Sequence, residues 1–390
     1  MPRYPGLARA ADGLSSGVYE SLLDIAQQNA PEVFRLNVGD SYLSPAPSAR
    51  SEQLTTARFG GLHNYAPVRG EPALLDAIEA DLAARDRPVA RDRLQITAGA
   101  TSGLDLCCRT LLRPGDEVIL PSPYWPLIRG MIRASGATPI ELPIFPQLRE
   151  PGFDLAQALE RVVSERTVGI YLNSPHNPTG VVLTAGEIDA IARVVTRHGL
   201  WVFSDEAYDQ LHFAERPGPA VWQHPQIAPR AMVAHTFSKT HGLAGARVGF
   251  VHGPSDAMQA LSALQTHATY CAARPMQLLA AEALTTTDGR AWPAIARQSY
   301  RAAAEKATRA LGLPCPEAGT FVLFDLRPHL RGEEEPSELL ARIATAGVVL
   351  TPGAATGHDY SDYARLCYTA VTPQVLDRAL AALSGVLYDP

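Results

Sequence analysis

Between residues 117 and 251 the chain alternates two patterns. Short uninterrupted apolar runs are followed by polar loops, and between them lie stretches with apolar residues at helical spacing. The runs are Glu117–Leu120 (EVIL), Val168–Leu172 (VGIYL), Leu200–Phe203 (LWVF), Met232–His235 (MVAH) and Arg247–Val251 (RVGFV). Runs of this length suit strands covered on both faces. Glu71–Arg85, with Pro72 near its start, and Thr101–Leu112 read as helices. A third helix opens at Thr184-x-x-Glu187, a capping box, and runs to about His198. Strand–helix alternation predicts an α/β fold with a mostly parallel sheet.

After about residue 285 the texture changes. A helix over Pro293–Leu311 is followed by a β-like run at Thr320–Leu326, a helix at Ser337–Thr345 and a short run at Val348–Leu350. Thr372 and Pro373 fit the cap and first position of a last helix. The expected division is an N-terminal segment, 1–44, packing with the small domain; a large domain, 45–285; and a small α+β domain, 286–390.

Composition narrows the function. The chain has 390 residues, a net charge of −6 and 19% charged residues, which fits a globular protein and lacks the basic excess of a nucleic-acid binder. No apolar run approaches the roughly 18 residues of a membrane span. The opening MPRYPGLARAADGL has no apolar signal-peptide core. Five scattered cysteines form no C-x-x-C pair, so neither a disulfide framework nor a metal site is expected, and a cytoplasmic setting is. Of the 34 basic residues only Lys239 and Lys306 are lysines. Chemistry that needs an amine therefore has two candidates.

In a parallel α/β sheet, ligands bind at the carboxyl ends of the strands. Three loops after predicted strands carry Asn173–Gly180 (NSPHNPTG), Ser204–Tyr208 (SDEAY) and Thr236–Thr240 (TFSKT). An Asn, an Asp, a Tyr, a Ser and a Lys can thus share one site. A desolvated lysine has its pKa lowered and can form Schiff bases. An Asp beside a pyridine nitrogen keeps that nitrogen protonated, as an electron-sink cofactor requires.

SPHNPTG, SDEAYDQL and SKTHGLAGARVGF resemble the signature segments of the class I/II aminotransferases, fold-type I enzymes that use pyridoxal 5′-phosphate (PLP). Asn177 precedes Asp205 by 28 residues, and Asp205 precedes Lys239 by 34. The likeness runs from about Asn37 to Arg365. It implies a large PLP-binding domain with a mostly parallel mixed sheet and the smaller α+β domain. Lys239 would form the Schiff base and shuttle the proton. Asp205 would pair with the pyridinium nitrogen, Asn177 and Tyr208 would bond the phenolic oxygen, and Tyr124 would stack on the ring. Backbone N–H groups of Ala100 and Thr101, with Ser238 and Arg247, would cup the phosphate. Tyr65 would reach the phosphate of a partner subunit in a homodimer. Arg365 would clamp the substrate carboxylate, and Gly39 would let the N-terminal segment come close.

The resemblance implies amino transfer between an L-amino acid and a 2-oxo acid. A lyase, cyclase or replacement enzyme working on the same cofactor-bound amino acid is the alternative. Neither a membrane nor a nucleic acid is expected as a partner. The chain departs from the pattern at Tyr270, Cys271, Arg274 and Pro275, where Tyr270 or Arg274 is a candidate contact for the distal end of the substrate. Lys306 reads as a solvated helix residue, and Glu333–Glu335 as a loop or helix-start charge run.

Overall fold

The computed structural model describes residues 20–388. The reading of the opening residues, and the first 19 residues of the expected N-terminal segment, lie outside them. Strands are numbered β1–β12 in chain order. Seven form one sheet in the order β2-β8-β7-β6-β5-β3-β4. They are β2 (Leu94–Thr97), β3 (Glu117–Ser122), β4 (Thr138–Pro143), β5 (Thr167–Asn173), β6 (Trp201–Asp205), β7 (Ala231–Thr236) and β8 (Gly249–His252). Pairs from β4 through β7 are parallel, while β8 runs antiparallel to both β7 and β2.

The uninterrupted apolar runs have a direct cause in the packing. Val118 and Leu120 face one cluster with Leu104, Tyr171 and Phe203; Ile119 faces another with Ile170, Leu172 and Val202. Alternate side chains therefore enter different cores, and no polar face is left to break the run. Two strands lacked this signal. β2 carries Gln95, fully buried, whose amide reaches the Val68 carbonyl at 2.6 Å. β4 is an edge strand, where Pro139 and Pro143 are tolerated.

Three boundaries differ from expectation. The helix after β2 begins at Gly99, not Thr101. Arg247 takes φ 51°, so the last strand of the large sheet starts beyond it, at Gly249. The long helix spans Thr287–Leu311 with Pro293 inside it, because Thr286 caps it by accepting from the Gly289 N–H at 3.2 Å. Glu335 caps the helix Pro336–Thr345 in a box with Glu338, which places the acidic run at a helix start.

The remaining strands are β1 (Phe34–Arg35), β9 (Phe321–Asp325), β10 (Val348–Val349), β11 (Thr351–Pro352) and β12 (Tyr363–Cys367). β11, β12 and β9 form an antiparallel sheet, and β1 pairs with β10 in parallel. Leu22, Phe34 and Leu36 share a core with Tyr300, Val322, Leu366 and Leu380. Residues early and late in the chain are thus packed as one body, while β5, β6 and β7 end at a common edge that faces it.

Candidate functional site

A cavity of about 160 Å³ opens at that edge. Its lining includes Gly39, Ala100, Thr101, Asn177, Asp205, Tyr208, Ser238, Lys239, Arg247 and Arg365. Ten residues singled out from the sequence therefore meet in one place. β6 delivers Asp205 as its last residue, and the loop after β7 delivers Ser238 and Lys239.

Asp205 is buried at the floor. Tyr171 donates its hydroxyl to Oδ2 at 2.8 Å, and the Ala207 N–H donates to Oδ1 at 3.1 Å. Burial outweighs these bonds and the nearby Lys239, and pushes the carboxyl up to about 6. Asn173, the last residue of β5, bonds the Asp205 carbonyl at 2.7 Å and takes the Asn177 N–H at 2.7 Å. It thereby fixes the NSPHNPTG loop against the floor.

Lys239 is also buried, and its ammonium donates to the Gly39 carbonyl. Burial lowers its pKa from the usual lysine range, with Arg247 and Arg365 adding to the effect and Cys367 and Asp40 opposing it. The result is an amine more readily freed of its proton than a surface lysine. Lys306 contrasts with it. That residue ties the long helix to the last one, pairing with Asp377 at 2.6 Å at the surface, and does not line the cavity.

The far end of the cavity is built for an anion. Ala100 and Thr101 lie in the first turn of Gly99–Leu111, where backbone N–H groups have no intrahelical partner. Arg247 stands beside them and approaches Ser238 Oγ at 3.4 Å. The approach depends on glycine. A Cβ at Gly249 would lie 2.9 Å from the Ala100 nitrogen, and one at Gly99, which has φ +75°, would lie 2.7 Å from Arg247 Nη2. Gly39 likewise gives space, since a Cβ there would sit 2.5 Å from Phe321 Cζ.

Arg365 closes the side opposite the sheet. Its guanidinium donates to Asn177 Oδ1 at 3.0 Å, to the Asn37 carbonyl at 2.9 Å and to Thr351 Oγ1 at 3.0 Å. It lies 4.2 Å over the Phe321 ring, and its buried Nε has no partner. Asn177 also approaches the Tyr208 hydroxyl at 3.5 Å.

One expected residue stands outside this lining. Tyr124 is not in the cavity wall; Trp125 is. The Tyr124 hydroxyl donates to Glu141 at 2.7 Å and its N–H to the Thr356 carbonyl at 2.8 Å. With Tyr124 held this way, its neighbour is the one left facing the cavity. Arg274 is also spoken for. It pairs with Glu71 at 2.7 Å and donates to the carbonyls of Gly60 and Gly61, so it braces that loop. Tyr65 is 82% exposed, edge-on to the Tyr270 ring at 5.1 Å, and lies outside this chain's own cavity. Sequence reasoning missed Asn37, Trp125, Tyr171, Phe321 and Thr351. Only Trp125 had a signal, as the other aromatic of PSPYWP.

The model of the family "Aminotransferase class I and II" matches residues 31–383. An aspartate/prephenate aminotransferase of Thermus thermophilus is 31% identical over 358 residues, covering 87% of this chain and 88% of the relative. An arginine–pyruvate transaminase of Pseudomonas aeruginosa is 32% identical over 361 residues, covering 89% and 88%. Among solved structures, the N-succinyldiaminopimelate aminotransferase of Mycobacterium tuberculosis superposes with a TM-score of 0.87 at 27% identity, covering 98% of this chain and all of that one.

Proposed function

The chain belongs to the class I and II aminotransferases, and from that premise we propose that it carries amino groups between an L-amino acid and a 2-oxo acid on PLP held at Lys239. That it is an aminotransferase rests on relatives that are transaminases by name, and these do not favour the elimination or cyclisation alternative. The assignment of roles to residues is our own reading.

The donor set fits this cofactor. A buried carboxylate, a buried amine and a cluster of N–H and guanidinium donors line one cavity, the kinds of group that would pair with a protonated ring nitrogen, an aldehyde and a phosphate. Bound PLP supplies an electron sink for the bond broken at the substrate Cα. Asp205 holds the proton on the ring nitrogen. Ala100, Thr101, Ser238 and Arg247 bind the phosphate, and Trp125 covers the ring. Asn177 and Tyr208 orient the ring oxygen. Arg365 and Asn177 take the substrate carboxylate, with Asn37 and Thr351 holding the guanidinium in place. Lys239, lowered in basicity by burial, moves the proton at the substrate Cα.

The proposal includes a homodimer in which Tyr65 crosses to the partner's site; its support is the exposure of that ring. It also includes the three-part domain division, supported by the core shared between Leu22–Leu36 and the C-terminal region. The cytoplasmic setting is part of it too, supported by five free thiols. Among the described residues no helix is long and apolar enough to cross a membrane.

The observation that carries the reading is Lys239, buried in the cavity that also holds Asp205, Arg247 and Arg365. The test is to incubate the PLP-loaded protein with a panel of amino acids and no oxo acid. Stoichiometric conversion of the cofactor to its amine form, followed by turnover once an oxo acid is added, is the expected result. Continuous release of ammonia or a cyclised product without an acceptor would overturn it.

A further inference from the structure

A second polar junction lies behind the cavity wall, centred on Glu141 of β4. Oε1 accepts from the Tyr124 hydroxyl at 2.7 Å and from Arg129 Nε at 3.0 Å. Oε2 accepts from the backbone N–H of His358 at 3.0 Å, and the His358 imidazole Nε2 lies 3.4 Å from Oε1. The carboxylate is largely buried and does not line the cavity.

The positions of its partners give the junction its meaning. Tyr124 adjoins Trp125, which forms one wall of the cavity. His358 lies in the turn between β11 and β12. That hairpin carries Thr351 opposite Arg365, and Thr351 accepts from the guanidinium. The turn is pressed on the large domain by two further bonds. The Tyr124 N–H reaches the Thr356 carbonyl at 2.8 Å, and the Tyr360 hydroxyl reaches the Ser122 carbonyl at 2.9 Å. Glu141 bonds both parts at once, through the Tyr124 hydroxyl and the His358 N–H.

We infer that Glu141 is a positioning residue for amino transfer, which ties the hairpin carrying Arg365 to the strand end carrying Trp125. The inference rests on the aminotransferase reading, with Arg365 as carboxylate clamp. Three donors converge on Glu141, so a carboxylate is required. A glutamine offers one acceptor oxygen, and its NH₂ cannot accept from Arg129 or from the His358 N–H. Losing the His358 bond leaves the hairpin held by the Thr356 and Tyr360 bonds alone, which loosens it and shifts the guanidinium relative to the ring. Both substrates bind through a carboxylate, so both suffer. The proton transfers at Lys239 and the pairing at Asp205 are untouched.

The test is steady-state kinetics of PLP-loaded Glu141→Gln, with amino acid and oxo acid varied separately and cofactor dissociation measured in parallel. The expected result is a rise in KM of roughly 5- to 20-fold for both substrates, less than the roughly 10- to 150-fold of a whole hydrogen bond to a charged group because the guanidinium is displaced and not removed. The turnover number and cofactor affinity should shift less than about threefold, since Glu141 touches neither the substrate nor the cofactor. His358→Pro, which deletes the N–H next to Gly357, should raise both KM values well above those of His358→Ala, which keeps it. This pair decides the matter if Glu141→Gln does not fold. KM values within twofold of wild type, in the presence of a lowered melting temperature, would reduce Glu141 to a structural residue and overturn the inference. So would a collapse of cofactor binding with KM unchanged. Failure of the parent reading looks different: wild-type protein would then show no amino transfer at all.

Discussion

The two walls of the cavity are built differently. The sheet wall comes from consecutive strand ends: Asn173 ends β5, Asp205 ends β6, and Lys239 lies three residues beyond β7. Each is placed by parallel pairing that is buried on both faces. The opposite wall is assembled from parts distant in sequence. Asn37, Phe321, Thr351 and Arg365 come from four segments and meet through hydrogen bonds and one cation–π contact. In the proposed function the first wall holds the groups that take part in bond making, and the second takes the substrate carboxylate. Rigid placement serves chemistry, where a small displacement is costly. An assembled wall can be tuned through the hairpin that carries it.

This contrast predicts where damage falls. Lys239→Ala should have the largest effect, lowering the turnover number by about 10⁴-fold, the upper end for a positioned acid–base group, with Cα proton transfer gone, while KM changes little. A loss below tenfold would mean that another group moves the proton. Asp205→Asn comes next, at roughly 10²- to 10³-fold in turnover, from removal of a buried electrostatic partner. Its pH signature is specific. Asp205 is pushed up to about 6, and only its carboxylate form pairs with a protonated ring. Capture of PLP by the apoprotein should therefore weaken as pH falls through about 6, and the variant should flatten that dependence. An unchanged profile in the variant would assign the titration elsewhere.

Changes in the assembled wall should be smaller and of another kind. Arg365→Ala should lower kcat/KM by roughly 10- to 150-fold, the equivalent of about 1.5–3 kcal/mol for hydrogen bonds to a charged group. Most of the loss should appear in KM; a loss confined to turnover would break the contrast. The smallest effect distinguishes two adjacent aromatics. Trp125→Ala should weaken PLP binding by roughly 2- to 10-fold, as loss of a stacked ring at about 0.5–1.5 kcal/mol implies. Tyr124→Phe removes only the bond to Glu141 and should weaken it less. The reverse order would restore Tyr124 to the ring.

How much of this was legible in the sequence follows the same division. The sheet wall could be read because its residues follow apolar runs and sit in compact motifs. Trp125 could not be told from Tyr124, since both are aromatic and adjacent, and the choice depends on Glu141 capturing the phenol. Thr351 and Asn37 belong to no motif: one lies in a two-residue strand, and the other contributes only its carbonyl. β2 and β4 escaped because a buried glutamine and edge prolines interrupt their apolar pattern. Arg274 read as a candidate contact for the distal end of the substrate, and only the fold shows that Glu71 and two carbonyls occupy it.

With only two lysines in the chain, the central claim has a direct test. PLP-loaded protein is reduced with borohydride, digested and mapped by mass spectrometry. The cofactor mass should appear on the peptide containing Lys239 and be absent from the one containing Lys306, which is paired with Asp377 at the surface. Modification of Lys306, or of neither lysine, would contradict the account.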